Sequence, residues 1–376
     1  MKKVLFFVES LSGGGAEKVL TDLVSNLDLS KYEITVCSLV DVGVYNDYLK
    51  SICTYKAILN NPGDNKNSIQ RRWYGLQYKL IHILPSKWMY TMFFKEKYDV
   101  EVAFVEGFST KIIGSSSNKN SKKVAWVHID LYANHWTQIE YKNLEEEVKA
   151  YQKFDHIISV AKSVQDAFSK RFGIKERLKV LYNPVDRKDI LEKSLQKIDF
   201  QKETSLIHLV TVGRLESQKG YDRLLEVVSK LKKDSFEFKL MIVGEGSQRK
   251  QLETYIEQND LQNYVTLLGF QTNPYAFINT ADAFVCSSRS EGFSTVVTEA
   301  LILGKPVVAT DCSGMTELLG DNEYGMITEN NTEALYLGLK KFLQDEQVRS
   351  HYTAKSKERG ADFDIKKTIK SIEEIL

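Results

Sequence analysis

Glu291 and Glu299 stand eight positions apart, and Gly292 directly follows the first of them. Ahead of the pair, Ala281-Asp282-Ala283-Phe284-Val285-Cys286 predicts a buried strand. Behind Gly292, Val296 to Leu303 predicts a helix that Gly304 and Pro306 stop. Glu291 is thereby placed at the carboxyl end of a strand, and the amides of Gly292, Phe293, Ser294 and Thr295 open a helix. Open α/β sheets hold ligands at that position. Free amides and the helix dipole make such a terminus suited to phosphate. Two carboxylates beside a phosphate site would repel a diphosphate, so they are better matched to neutral hydroxyls. A sugar nucleotide supplies both parts: diphosphate for the amides, hydroxyls for Glu291 and Glu299.

Three further motifs occur in order along the chain. They are Ser12-Gly13-Gly14-Gly15-Ala16-Glu17, then Val212-Gly213-Arg214-Leu215 with Lys219-Gly220, then Val243-Gly244-Glu245-Gly246. With the E-x7-E spacing of Glu291 and Glu299, the chain resembles the retaining GT-B glycosyltransferases of the family 4 type, over nearly its whole length. Two surface glutamates at that spacing are common by chance, so it is the ordered set of motifs that carries the resemblance.

The resemblance implies an α/β fold of GT-B type. Two Rossmann-like domains would face a deep cleft, with a C-terminal helix returning to the first. It also implies a hexosyl transfer from a nucleotide-diphospho-sugar, with a UDP-sugar favoured, to a glycan or polyprenyl-linked acceptor. The setting would be cell-surface polysaccharide, capsule or glycolipid synthesis.

Such a transfer requires stabilisation of the leaving diphosphate. The sequence is read as having no D-x-D metal motif, its close carboxylate clusters being Asp41 to Asp47 and Glu145-Glu146-Glu147, and the expectation is that no metal is used. Fixed cations must then take the charge. Arg214, after the strand Ile207–Val212, and Lys219, in the next turn, are the expected pair; the alternative is a solvated loop pair. Gly14 and Gly15 open the first helix without the dinucleotide-binding G-x-G-x-x-G spacing. In the family this loop approaches donor phosphate and acceptor, where a Cβ would obstruct. His128 directly follows the strand Val124–Val127, in the place where the family has a histidine touching the donor sugar. His135 competes with it, and Asp130 could orient either. Gly244 is read as passing under the nucleotide or as a plain turn. Gly269 and Phe270 end the next strand, where the family binds the base; Phe270 could equally sit at the edge of the core. Ser294 stands where the family often has glycine, and its hydroxyl could cap the helix or bind phosphate.

Strand-like and helical stretches alternate throughout, which implies parallel sheets made of βαβ units. The Tyr182-Asn183-Pro184-Val185-Asp186 stretch marks a boundary, since Pro184 cannot continue a ladder. The expected domains are 1–183 with a terminal helix of about 356–376, and 184–355. At 376 residues and 43% apolar content the chain can bury two cores. A net charge of +1 gives no bulk field for nucleic acid. The four cysteines form no metal-binding pattern and fit a reduced compartment. Glu9 ends the first apolar run too early for a signal peptide. The expected location is cytoplasmic, at the inner face of the plasma membrane.

The segment from Asn65 to Lys97 carries seven basic residues, Lys66, Arg71, Arg72, Lys79, Lys87, Lys95 and Lys97, against one acid, Glu96. Interleaved aromatics suggest contact with an anionic membrane surface. The alternative is a helix whose aromatics pack on the sheet while its basic face is solvated. Two other functions stay open: a GT-B-fold epimerase acting on a sugar nucleotide, which needs no acceptor, and a non-catalytic sugar-nucleotide-binding subunit. The oligomeric state is not legible.

Overall fold

In the computed structural model the described residues are 1–61 and 68–376, and the chain divides into two units, Met1–Pro184 with Lys366–Leu376, and Val185–Ile365. The first unit is built on seven parallel strands: β1 (Lys2–Val8), β2 (Tyr32–Val40), β3 (Thr54–Leu59), β4 (Val100–Ala103), β5 (Lys122–Val127), β6 (His156–Ser159) and β7 (Leu178–Val180), in the order β3-β2-β1-β4-β5-β6-β7. Val4 pairs with Ile34 on one side and with Val100 on the other. Val4 to Val8 are fully buried, as a strand covered on both faces requires.

The second unit has six parallel strands: β8 (Ile207–Val212), β9 (Phe238–Val243), β10 (Val265–Gly269), β11 (Ala283–Cys286), β12 (Val307–Thr310) and β13 (Met326–Thr328), in the order β10-β9-β8-β11-β12-β13. Its core joins Leu209, Leu240, Ile242 and Val285 of the sheet to Leu224, Val228 and Leu231 of helix Tyr221–Lys233 and to Leu335 and Leu339 of helix Thr332–Gln344. In each sheet the chain reverses its direction of winding between two neighbouring strands. Those strands are β1 and β4 in the first unit and β8 and β11 in the second. Crevices that hold ligands form outside the carboxyl ends of such a pair.

Several elements differ from expectation. Strands β3 and β13 and the helices Asn46–Ile52, Arg187–Ser194 and Met315–Leu319 carry no clear periodic signal. Helix Leu144–Tyr151 starts where Asn143 accepts the Glu146 amide as its cap, and Trp136–Glu140 before it is a short 3-10 turn. The single terminal helix is two, Glu346–Ala361 and Ile365–Glu373. The break falls at Asp362-Phe363-Asp364, and only the second helix lies in the first unit.

Candidate active site

The second unit assembles its site at the carboxyl ends of β8 and β11. Lys219, in the turn Ser217–Lys219, reaches Glu291, with Nζ 2.7 Å from Oε1. Glu291 also accepts a hydrogen bond from the Ser288 hydroxyl. Burial alone would lower the Lys219 pKa, but the Glu291 carboxylate, by charge and hydrogen bond, holds it above its ordinary value. Lys219 is therefore charged at neutral pH. Arg214 stands exposed at the end of β8 and forms no ion pair with the described residues. Its charge acts on Lys219 as a like neighbour. An exposed, unpaired guanidinium beside a paired ammonium can take an incoming anion without breaking a structural contact.

The loop from β11 to Glu291 is held from below. Buried Arg223 donates from Nε to the Ser287 carbonyl at 2.8 Å and from Nη2 to the Ser288 carbonyl. The Thr310 hydroxyl also donates to the Ser288 carbonyl, at 2.6 Å. Gln218 holds the Ser290 carbonyl at 2.8 Å, and the Ser287 hydroxyl donates to the Lys219 carbonyl at 2.8 Å. Gly220, at φ +65°, lies where a Cβ would come within 2.2 Å of the Ser287 carbonyl oxygen. Only glycine lets the two strand-end turns touch. Arg223, Gln218 and Thr310 were not singled out by sequence reasoning, because their partners are 22 to 87 residues away.

Helix Thr295–Ile302 begins at Ser294, whose backbone is extended but whose hydroxyl makes no capping bond. That Oγ is buried and has no partner. Of the two roles open to it in the sequence, capping is not the one it fills. Glu299, one turn into the helix, is 3% exposed, with the Tyr275 hydroxyl 3.3 Å from its Oε1. Gly292 is buried, and Phe293 has its ring in the core, so only its backbone faces the site. Gly244, at φ +147°, would put a Cβ 1.9 Å from the Gly213 carbonyl oxygen, a close approach between strand-end turns. Gly269 ends β10 at φ +71°, and Phe270 beside it is 47% exposed.

His128 and the glycine loop belong to the first unit. His128 follows β5, and its Nε2 lies 2.8 Å from the Phe104 carbonyl oxygen. A carbonyl only accepts, so Nε2 carries the proton and Nδ1 is left as the acceptor. Its backbone amide donates to buried Glu106 at 3.1 Å. Burial lowers the His128 pKa to about 4, so the ring is neutral at pH 7. Its competitor His135 is engaged by Glu147, 2.7 Å from Nε2, and by the Arg171 guanidinium at Nδ1. Asp130 accepts the Tyr132 and Ala133 amides. At Gly14 a Cβ would meet the Glu17 carboxylate, 2.3 Å away, and Gly15 begins the first helix. Contrary to the sequence reading, a D-x-D triplet does occur, Asp362-Phe363-Asp364, with both residues exposed in the break between the last two helices.

This arrangement has known counterparts. The model described as "Glycosyltransferase Family 4" matches residues 13–189, and that described as "Glycosyl transferases group 1" matches residues 193–359. The chain belongs to the family 4 glycosyltransferases. A Campylobacter jejuni relative of this glycosyltransferase is 29% identical over 370 residues, 97% of this chain and 96% of its own. Its name is N-acetylgalactosamine-N,N'-diacetylbacillosaminyl-diphospho-undecaprenol 4-alpha-N-acetylgalactosaminyltransferase. An uncharacterised Haemophilus influenzae glycosyltransferase is 25% identical over the whole of both chains. Among solved structures, Anabaena HepE in complex with UDP and glucose aligns with a TM-score of 0.76 at 21% identity, covering 100% of this chain and 99% of that one. The structure of TarM gives 0.74 at 15%, covering 100% and 98%. At these identities the structures establish the GT-B fold.

Proposed function

We propose that this glycosyltransferase moves a hexosyl group, with retention and without a metal, from a UDP-sugar to a lipid-linked glycan. The observation that carries the reading is the grouping at the β8–β11 crevice: a charged Lys219 paired with Glu291, an unpaired Arg214, and the orphaned Ser294 hydroxyl at a helix start. Arg214, Lys219, the Ser294 hydroxyl and the amides of Gly292 to Thr295 take the diphosphate. Glu299 takes the ribose, and Glu291 the hydroxyls of the donor sugar. Gly244, Gly269 and Phe270 flank the nucleoside. In the first unit, neutral His128 keeps Nδ1 as an acceptor for a sugar hydroxyl. The acceptor oxygen attacks C1 on the face the phosphate leaves. As the new bond forms and the C1–O bond breaks, the acceptor's proton passes to the departing phosphate oxygen.

The acceptor reading draws support from the diphospho-undecaprenol in the relative's name and from one surface of this chain. Helix Ser68–Ile83 exposes Ile69, Trp73, Leu76, Leu80 and Ile83, and helix Ser86–Phe93 exposes Trp88 and Met92. Steps of four and three residues put the first five on one stripe, with Arg72 and Lys79 along its flank. Both tryptophans are more than 60% exposed, whereas Tyr90 and Phe94 are buried, so the aromatics of the segment divide between solvent and core. An apolar stripe edged by cations suits an anionic lipid surface. Asn65 and Lys66 lie outside the described residues, and no described helix is long and apolar enough to cross a membrane.

The test is a transfer assay with a panel of nucleotide sugars and a polyprenyl-diphosphate-linked saccharide, with NMR of the product's anomeric centre. Retained configuration and full activity in EDTA are expected. Inversion, or an absolute divalent-metal requirement, contradicts the reading.

A further inference from the structure

The first unit has its own crevice, outside the carboxyl ends of β1 and β4, and it is lined differently from that of the second. Glu9 follows β1 directly, and its carbonyl is fixed by the Val40 amide at 3.0 Å. Its carboxylate accepts the Phe108 amide, while its Oε1 is buried and has no partner among the described residues. His82, on helix Ser68–Ile83, places Nδ1 3.4 Å from Glu140 Oε2. Its Nε2 is likewise buried without a partner. Two orphaned polar atoms from distant parts of the chain thus converge on one crevice. A buried polar group without a partner costs free energy, and a native fold keeps such groups where a ligand satisfies them.

The chemistry of that ligand follows from the charges. Glu140 and Glu106 act on Glu9 as like charges, Glu17 acts likewise on Glu106, and Lys111 lies against Glu140. Lys111 is already occupied by the Glu140 carbonyl. A phosphate would meet a surplus of carboxylates. A hydroxyl would not: it donates to Glu9 Oε1 and accepts from, or donates to, His82 Nε2 according to that ring's protonation. Tyr78, 37% exposed, lies tilted against His82 with centroids 4.7 Å apart, and supplies the aromatic ring that carbohydrate sites use. Burial, reinforced by the Glu140 charge, brings the Glu9 pKa up to about 7. The group is thus half-protonated at neutral pH and costs less to cover than a full charge would.

We propose that Glu9 and His82 form a saccharide subsite that grips hydroxyls of the acceptor's sugar. The proposal rests on the reading of the protein as a glycosyltransferase with a carbohydrate acceptor. It places the neutral sugar in this crevice, with any lipid-linked phosphate outside it.

Saturation-transfer NMR on the full chain, with the methyl α-glycosides of glucose, galactose and N-acetylgalactosamine as probes, tests it. At least one glycoside should give signal with the wild type. That signal should vanish in Glu9→Ala and in His82→Ala and persist in Lys219→Ala. UDP affinity, read by calorimetry, should stay unchanged in the two first-unit variants, which also verifies their fold. Glu9→Gln keeps the side-chain shape and should raise the acceptor KM about tenfold with UDP affinity intact, as loss of one charged hydrogen-bond acceptor implies. Signal retained in Glu9→Ala and His82→Ala, or no signal from any glycoside with the wild type, overturns the subsite. A wild type that binds the glycosides but not UDP would instead overturn the donor reading and leave the subsite standing.

Discussion

Lys219 Nζ lies 2.7 Å from Glu291 Oε1, although the two residues are 72 positions apart. One belongs to the turn after β8 and the other to the loop after β11, so the pair exists only because those strands are neighbours. Glu291 is 7% exposed, and removing its partner strands a buried charge. Lys219→Ala should therefore cost about 2 kcal/mol of stability, less than the ~3–5 of a fully buried pair because the lysine keeps some solvent contact. It should also lower kcat by at least ~10²-fold, as loss of one charge stabiliser implies. The double variant Lys219→Met, Glu291→Gln should regain much of the melting temperature and none of the activity. Recovery of activity would mean that the pair is only structural.

Glu299 and Glu291 should separate by ligand. Calorimetry with UDP should show Glu299→Ala weakened at least ~10-fold, since a charged hydrogen bond to the ribose is lost, and Glu291→Ala near wild type. With the whole sugar nucleotide both should be impaired, and Glu291→Ala should lose turnover. Equal losses of UDP affinity would contradict the division of roles.

Ser294 gives a test that splits capping from binding. An N-cap serine normally contributes about 1 kcal/mol, but this hydroxyl makes no capping bond and is buried unpartnered. Ser294→Ala should leave the melting temperature unchanged or slightly higher, and should reduce affinity for UDP. A destabilised variant with unchanged UDP affinity would reverse the assignment.

Glu106 predicts a pH dependence of stability. Burial raises its pKa from 4.5 to about 7, against the opposing pull of the His128 amide. The folded state thus favours the protonated acid. Its contribution is fully present below about pH 4.5 and is lost as the pH rises to about 7. Glu106→Gln still offers an acceptor to the His128 amide and cannot ionise. Its melting temperature should match wild type near pH 5 and exceed it by a few degrees at pH 8. Parallel curves for the two proteins across that range would show that the carboxyl is not perturbed.

The apolar stripe predicts how membranes are held. Co-sedimentation with anionic vesicles should be lost in a Trp73→Ser, Leu76→Ser, Leu80→Ser variant at any salt. Arg72→Glu with Lys79→Glu should weaken it mainly at low salt, where charge attraction is not screened. Wild-type sedimentation by the serine variant would assign the stripe to another partner.

Much of the fold was legible because buried parallel strands read as continuous apolar runs: Val4–Val8, Ile207–Val212 and Ala283–Cys286 appear where the pattern places them. The local unit of strand, glutamate, glycine and helix around Glu291 was equally plain, since all of its parts lie within about five turns of chain. Strand β3 was not, because it is largely part-exposed and its residues Thr54, Lys56 and Ala57 dilute the apolar signal. Strand β13 is three residues long, too short for any periodicity. The exposed tryptophans at 73 and 88 could not be told from packed ones, because sequence carries the amphipathic period but not which face meets a neighbour. Sequence by itself determined which residue types could do chemistry and which turns would carry them. Only the tertiary structure decided that Lys219 answers Glu291, that Arg223 holds the loop beneath them, and that Glu9 Oε1 and His82 Nε2 are buried without a partner among the described residues. Those relations are set by strand order, which brings together residues whose separation along the chain says nothing of their distance in space.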